Sequence, residues 1–271
     1  MVPARALPLL LAVLALGACA DTGPRAGASA DRADDDTPAP AGAVRVAPVR
    51  TGPGQAPTPR SAVADVLGVH PGLTPPTAAE APRVRALIAG VRTGPRRGRG
   101  GYAREAFGPD WTDEAPITWG GNDCRTREDV LRRDLRAPTL RPGTPDATGR
   151  DCVVLDGLLP DPYTGRTIEF SKARPTEVQI DHVIPLFYAW QLGARDWPAV
   201  RRAQFANDPL NLLAVDGAAN QRKNASGPAS WLPPNRAIRC AYVVRIARVA
   251  TRYRLPVTPA DKADMRRRCA G

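Results

Sequence analysis

The chain has 271 residues, a formal net charge of +11, 30 prolines and only 5% aromatic residues. This composition excludes one packed core over the whole length and favours a moderate globular part beside long unstructured segments. The positive charge fits either an ordinary arginine-rich surface or a polyanionic partner, because clustered Arg and Lys release the counterions that surround phosphates. Charge alone does not choose between these two interpretations.

The first 19 residues are typical of an export signal. Arg5 precedes an apolar run over residues 6–18, which is too short to cross a bilayer comfortably. The run ends in Leu-Gly-Ala-Cys, which is similar to a bacterial lipobox. We therefore predict a lipoprotein-type signal over residues 1–19 with a lipid on Cys19, and ordinary cleavage near the same place is the alternative. The expected location is the outer side of the bacterial membrane, held only by this lipid, or the secreted fraction.

The rest of the chain divides into a tether and a globular part. Residues 20–81 are rich in Ala, Pro, Thr, Gly and Asp without sustained periodicity, which indicates a disordered tether. From residue 82 to residue 271, apolar residues recur with helical or strand spacing, which predicts one α+β domain. The predicted helices are 82–92, 126–135, 185–208 with a break near Trp197, 216–228 with Asp216 as its cap, and 237–253. The predicted strands are 152–159 and 165–170 around a DPYTG hairpin turn, 178–184, and 210–215.

Four cysteines remain beyond Cys19, and an even number in an exported chain indicates two disulfides. Three pairings exist. Pairing Cys124 with Cys152 and Cys240 with Cys269 is favoured, because each pair then encloses one compact stretch. A zinc site is the rival interpretation, but none of these cysteines has C-x-x-C spacing.

The stretch EVQIDHVIPL, residues 177–186, contains one of only two histidines in the chain. Asp181 stands directly before His182 at the end of a β-like run. A free imidazole titrates near neutrality and can take a proton from water, and a carboxylate beside it can hold a hard divalent cation. Downstream, Asn211 opens the next strand and Asn220 lies on the short helix that follows.

This order of strand, loop, strand and short helix resembles the HNH endonucleases, which use a ββα-metal (His-Me) finger. More narrowly, residues 82–271 resemble exported HNH proteins related to the C-terminal domain of GmrSD restriction endonucleases. The motifs that carry the resemblance are GYAREAFGPDW, CRTR, LPDPYTGRTIEF, VQIDHVIPL, NDPLNLLAVDGAANQRKNASGPASWLPPN and RCAYV. The resemblance implies a ββα core over residues 176–228, embedded in a mixed domain of helices and short strands.

The resemblance also implies roles for four residues. His182 matches the general base that activates water, and Asn211 matches the middle asparagine, which fixes the loop between the strands and supports the orientation of the histidine. Asp181 and Asn220 match metal ligands, and their oxygen donors favour one Mg²⁺ or Mn²⁺ over Zn²⁺. No small-molecule cofactor is expected.

Two difficulties accompany this assignment. In a flat strand the side chains of Asp181 and His182 point to opposite faces, so one shared site requires the strand to twist or to end there. The sequence also identifies no third protein ligand, for which Glu177 and Asp216 are the candidates.

The implied function is metal-dependent hydrolysis of phosphodiester bonds by an endonuclease of low sequence specificity. The expected partner is nucleic acid, DNA rather than RNA. The expected nucleic-acid contacts are Lys223, Arg222, Arg245 and Arg248. The alternative is a non-catalytic envelope protein with a degenerate HNH fold that binds nucleic acid or another polyanion.

Overall fold

Helices alternate with short strands over residues 73–270, the part of the chain that the computed structural model describes. The α-helices of this part are α1 (Ala81–Gly90), α2 (Thr126–Asp134), α3 (Leu186–Gln191), α4 (Ala199–Asn207), α5 (Gly217–Lys223), α6 (Arg239–Arg252) and α7 (Pro259–Arg268). The strands are β1 (Arg136–Leu140), β2 (Val154–Pro160), β3 (Thr167–Ser171), β4 (Val178–His182) and β5 (Leu212–Asp216). The predicted α+β class is confirmed.

The strands form two antiparallel sheets, one of β1, β2 and β3 in that order and one of β4 and β5. The turn between β2 and β3 is stabilised by Asp161, whose carboxylate accepts hydrogen bonds from the backbone N–H groups of Tyr163 and Thr164 at 3.2 and 2.7 Å. Gly165 closes the turn with a φ of 77°, a backbone conformation that residues other than glycine rarely adopt. The hairpin predicted around DPYTG is therefore confirmed.

The β4–β5 sheet lies between two hydrophobic clusters. Side chains alternate along β5, so Leu212 and Ala214 pack into one cluster with Trp111, and Leu213 and Val215 pack into the other. All five residues of β5 are buried. Because both faces are covered, the end of β4 is held in place from two sides.

Two disulfides join elements that are close in sequence. Cys124 is bonded to Cys152, which links the start of α2 to the start of β2, and Cys240 is bonded to Cys269, which links α6 to the end of α7. The favoured pairing is confirmed. Each bridge closes a loop of nearly 30 residues, and chain entropy predicts that such a loop contributes about 3–4 kcal/mol to folding.

Helix α5 follows β5 without a loop. The Asp216 carboxylate accepts a hydrogen bond from the backbone N–H of Ala219 at 2.7 Å and caps the helix, as predicted. The helix ends at Lys223, where Asn224 has a φ of 48°, so the stop predicted at Gly227-Pro228 was wrong.

The predicted signal segment, Cys19 and the tether up to residue 72 lie outside the described residues. Within residues 73–270, no helix has the length and apolar character needed to cross a membrane.

Candidate functional site at the end of strand β4

Asp181 and His182 lie on opposite faces of β4. Val178 and Ile180 share the face of His182 and pack into the cluster that contains Trp111. Asp181 instead faces α5, where it bonds Lys223. The strand does not twist enough to bring both side chains to one face, so the alternation rule governs this pair.

The Asp181 carboxylate is bonded to an internal ammonium. Lys223 Nζ donates to Asp181 Oδ1 at 2.7 Å, to Asp181 Oδ2 at 2.6 Å and to the backbone carbonyl of His182 at 2.6 Å. The hydroxyl of Tyr163 also donates to Asp181. Lys223 has no exposed side-chain surface, and Asp181 is 5% exposed. Burial raises the pKa of the Asp181 carboxyl, and the neighbouring ammonium of Lys223 acts in the opposite direction.

Asn220 lies on the same side of β4 as Asp181 but contacts another residue. Its amide Nδ2 donates to Oε1 of Gln179, two residues before Asp181 on the strand, at 3.0 Å. Of the candidates for a third ligand, Glu177 pairs with an arginine and Asp216 caps α5. Both Asp181 oxygens are engaged by Lys223, and residues 73–270 contain no group of three His, Cys, Asp or Glu that could hold an ion. The donor set in this arrangement does not fit a divalent cation.

The imidazole of His182 is neutral and oriented. Its Nε2 is 2.8 Å from the carbonyl oxygen of Ala206, which can only accept, so Nε2 carries the proton and Nδ1 keeps a lone pair. The ring stacks on the indole of Trp111, with 5.6 Å between centroids and 13° between planes. Burial first, and then the positive charge of Arg104, lower the pKa of His182 to about 3.

A small surface pocket adjoins the His182 ring, and Arg104, Trp111 and Asn207 are among its lining residues. Two of these lining residues each contain a buried polar atom that has no hydrogen-bond partner within the described part of the chain: Trp111 Nε1, a donor, and Asn207 Oδ1, an acceptor. A buried polar group without a partner costs about 1–3 kcal/mol, so these two atoms indicate a small polar ligand or a water in the pocket.

Asn211 connects the end of β4 to the end of α4. Its Oδ1 accepts from the backbone N–H of Ile184 at 2.9 Å, and its Nδ2 donates to the carbonyls of Ile184 and Phe205 at 3.3 and 3.4 Å. Phe205 precedes Ala206, whose carbonyl accepts from His182. Asn211 thus fixes the loop after β4 next to the group that orients the imidazole.

Two of the four predicted nucleic-acid contacts are buried, which corrects that prediction. Lys223 is enclosed by Asp181 and the His182 carbonyl. Arg245 is 6% exposed and donates to the carbonyls of Pro209, Leu210 and Leu212, at 2.9, 2.8 and 2.9 Å. Neither cation can reach a phosphate from these positions. Arg222 and Arg248 are exposed, and their contact with nucleic acid stays a prediction.

A basic loop leads to the His182 pocket. Arg97 and Arg99 are exposed, and the Arg99 guanidinium lies 5.0 Å from the ring centroid of Phe187. Tyr102 packs edge-on against Phe187 at 4.8 Å, and Arg104, at the end of the loop, lines the pocket itself. This loop carries exposed positive charge, packs Tyr102 against Phe187 of α3, and reaches the pocket through Arg104.

Trp111, Asn207 and Arg104 belong to the site, although the sequence assigned them no role. Trp111 and Arg104 lie in the GYAREAFGPDW motif, and Asn207 begins the NDPLNLL motif. Their membership of motifs that carry the family resemblance was the only feature of the sequence that pointed to a role for these residues. Their position around His182 depends on long-range packing that no local spacing encodes.

Residues 125–268, more than half of the chain, match the family described as GmrSD restriction endonucleases, C-terminal domain. The chain belongs to this family. It is also similar to a protein named "Uncharacterized secreted protein" from Arthroderma benhamiae (strain ATCC MYA-4681 / CBS 112371), with 37% identity over 207 residues that cover 76% of this chain and 92% of the relative. No solved structure matches the chain.

Membership of the GmrSD C-terminal domain family indicates a nuclease-like role for this chain. HNH-type nucleases usually use a divalent metal, which contrasts with the engaged carboxylate of Asp181. The secreted relative agrees with the export predicted from the first 19 residues.

Proposed function

We propose that this protein is an exported endonuclease that hydrolyses phosphodiester bonds of nucleic acid with low sequence specificity, with His182 as general base. The observation that carries the proposal is the hydrogen bond from His182 Nε2 to the Ala206 carbonyl. That bond fixes the tautomer and leaves the Nδ1 lone pair available to accept a proton. Family membership supplies the reaction class.

The two unpartnered atoms of the pocket support a specific position for the attacking water. Such a water accepts from Trp111 Nε1–H and donates one hydrogen to Asn207 Oδ1 and the other to His182 Nδ1. Its remaining lone pair attacks phosphorus in line while Nδ1 takes the proton. The bond from phosphorus to the 3′ oxygen breaks, and the leaving oxygen takes a proton from solvent. Arg104 at the pocket opposes the negative charge that develops on the phosphate.

The low pKa of His182 in the free protein is compatible with this role. Burial disfavours the imidazolium, and a phosphate anion beside the ring favours it, so substrate binding raises the pKa toward the operating pH. The ring thus gains basicity in the complex with substrate.

The basic loop supports a new position for the nucleic-acid backbone. Arg99 is exposed and lies against Phe187, which also contacts Tyr102, and the same loop continues to Arg104 in the pocket lining. Contacts of this type hold phosphates and stack on bases without reading sequence, which is the basis for the low specificity. The preference for DNA over RNA and the lipid on Cys19 stay predictions.

The finer assignment of a ββα finger is supported by β4, β5 and α5, which contact each other although α3 and α4 lie between the two strands in the chain. Mg²⁺ or Mn²⁺ at Asp181 and Asn220 stays a prediction for a state in which Lys223 has left the Asp181 carboxylate. No step assigned to His182 depends on that ion.

One observation favours the second candidate, a non-catalytic nucleic-acid-binding protein. A carboxylate that is neutralised by a buried ammonium is what a degenerate site would contain. Incubation of the full chain with supercoiled plasmid in Mg²⁺, in Mn²⁺ and in EDTA separates the candidates. We expect nicked circles in at least one of these conditions, whereas retarded but intact plasmid in all three would support the binding protein.

A further inference from the structure

The buried ammonium of Lys223 bonds both oxygens of Asp181, the carboxylate that was predicted to hold a metal ion. We propose that Lys223 is the resident cation of this site, so that a divalent ion and the Lys223 ammonium exclude one another at the Asp181 carboxylate. This cation site lies at the same end of β4 as the proposed nuclease site, but Mn²⁺ binding to it can be measured whether or not the protein cleaves nucleic acid.

The hydrogen-bonding capacity of the ammonium is fully used. An ammonium has three N–H donors, and Lys223 finds three acceptors, both Asp181 oxygens and the His182 carbonyl, at 2.6 to 2.7 Å. Lys223 is completely enclosed, so it does not exchange these partners for water. A weak surface ion pair would be exposed and would use fewer of its donors.

The same three oxygens are of the type that Mg²⁺ and Mn²⁺ bind. Carboxylate and backbone carbonyl oxygens are hard ligands, and here they converge on one point beside α5. The Tyr163 hydroxyl and the Gln179–Asn220 pair add further oxygens on this side of β4. The point where the two Asp181 oxygens and the His182 carbonyl converge is therefore occupied by the Lys223 ammonium.

Exclusion follows from charge and space. A divalent ion within bonding distance of Asp181 would lie against the Lys223 ammonium, and two cations cannot share one carboxylate in a buried site without strong repulsion. Either Lys223 leaves or the ion stays out. Removal of the ammonium leaves a buried carboxylate without a counter-charge, which a divalent ion can supply.

Manganese binding tests the proposal directly. Titration of Mn²⁺ into the full chain, followed by the electron paramagnetic resonance signal of free Mn²⁺, is carried out on the wild type, on Lys223→Met and on the double variant Asp181→Asn with Lys223→Met. Methionine has a similar length without the charge. We expect Lys223→Met to bind one Mn²⁺ at least tenfold more tightly than the wild type, and the double variant to lose that gain. Equal or weaker binding by Lys223→Met would overturn the proposal.

If Lys223→Met does not fold, wild-type crystals soaked in Mn²⁺ test whether the ion and the Lys223 ammonium exclude one another at Asp181. No ion at Asp181, or an ion there with the Lys223 side chain displaced, supports mutual exclusion. An ion bonded to Asp181 while Lys223 keeps its three hydrogen bonds contradicts it. Plasmid cleavage is scored separately, so failure of the nuclease proposal would leave this result unaffected.

Discussion

Asp181 and His182 are adjacent in the chain, yet the first bonds the buried Lys223 and the second stacks on Trp111 across the strand. Strand alternation thus divides the end of β4 into a charged side and a pocket side. Among the described residues, the side chains of Asp181 and His182 share no hydrogen-bond partner, and Lys223 couples the two sides through the His182 carbonyl and through its charge.

On the charged side, Asp181→Asn should be strongly destabilising. It removes the counter-charge of an enclosed ammonium, and breaking a buried pair in this way costs about 3–5 kcal/mol. Urea unfolding measures the effect, and the double variant with Lys223→Met should recover part of it. Glu177→Gln, which removes an exposed ion pair, is the matched control and should change stability by less than about 1 kcal/mol. Equal losses for both single variants would contradict the buried pair.

On the pocket side, Asn207→Leu should lower kcat by about 10- to 100-fold with little change in KM, because the variant loses the acceptor that positions the water. Trp111→Phe keeps a ring against His182 but removes the indole N–H, so a smaller loss in kcat is expected. Steady-state cleavage of a fluorescent oligonucleotide separates the two constants. An effect confined to KM would assign Asn207 to substrate binding instead.

The low pKa of His182 makes folding sensitive to acid. The unfolded ring binds a proton near pH 6.5, whereas the folded ring does so only near about 3, so protons favour the unfolded state between these values. The histidine's contribution should therefore fall by about 1.4 kcal/mol for each pH unit below 6.5. Chemical unfolding of the wild type and of His182→Gln from pH 7 to pH 4 checks this. Parallel pH profiles for the two proteins would rule out a buried neutral ring.

The arginines fall into two groups with opposite expected effects. Arg99→Ala should weaken nucleic-acid binding and reduce the slope of log K against log salt by about 1, with the melting temperature unchanged. Arg245→Met should lower the melting temperature, because three backbone carbonyls lose their donor. Fluorescence anisotropy over a salt series and thermal unfolding distinguish these outcomes. If the slope of log K against log salt changed in Arg245→Met but not in Arg99→Ala, the nucleic-acid-binding surface would lie on α6 and not on the basic loop.

Local signals in the sequence predicted much of the fold. The acidic start and basic end of 126–135 predicted α2, which spans Thr126–Asp134, and the apolar runs around DPYTG predicted β2 and β3. β1 was missed, because RAPTL contains a proline and has three exposed residues, so it lacks the alternation of a half-buried strand. α7 was missed because PADKADMRRR carries almost no apolar face, although Thr258 and Asp261 form a capping box at its start.

The candidate site could be predicted only where a residue's role is local. Asp216 was predicted as a cap from its place before a short helix, and the structure places it there. Arg245 and Arg248 were predicted to contact nucleic acid, but Arg245 points inward, where the carbonyls of Pro209, Leu210 and Leu212 accept its hydrogen bonds. The pairing of Lys223 with Asp181 joins residues 42 positions apart, and no spacing rule reports such a contact.

The central claim is that the neutral ring of His182 activates water. The most direct measurement compares plasmid nicking by the wild type, His182→Ala and the control Glu177→Gln, each shown to be folded by circular dichroism. If His182 is the general base, the control cleaves at the wild-type rate and His182→Ala is slower by about 10²–10⁴-fold. Folded His182→Ala that nicks plasmid at the wild-type rate would contradict it.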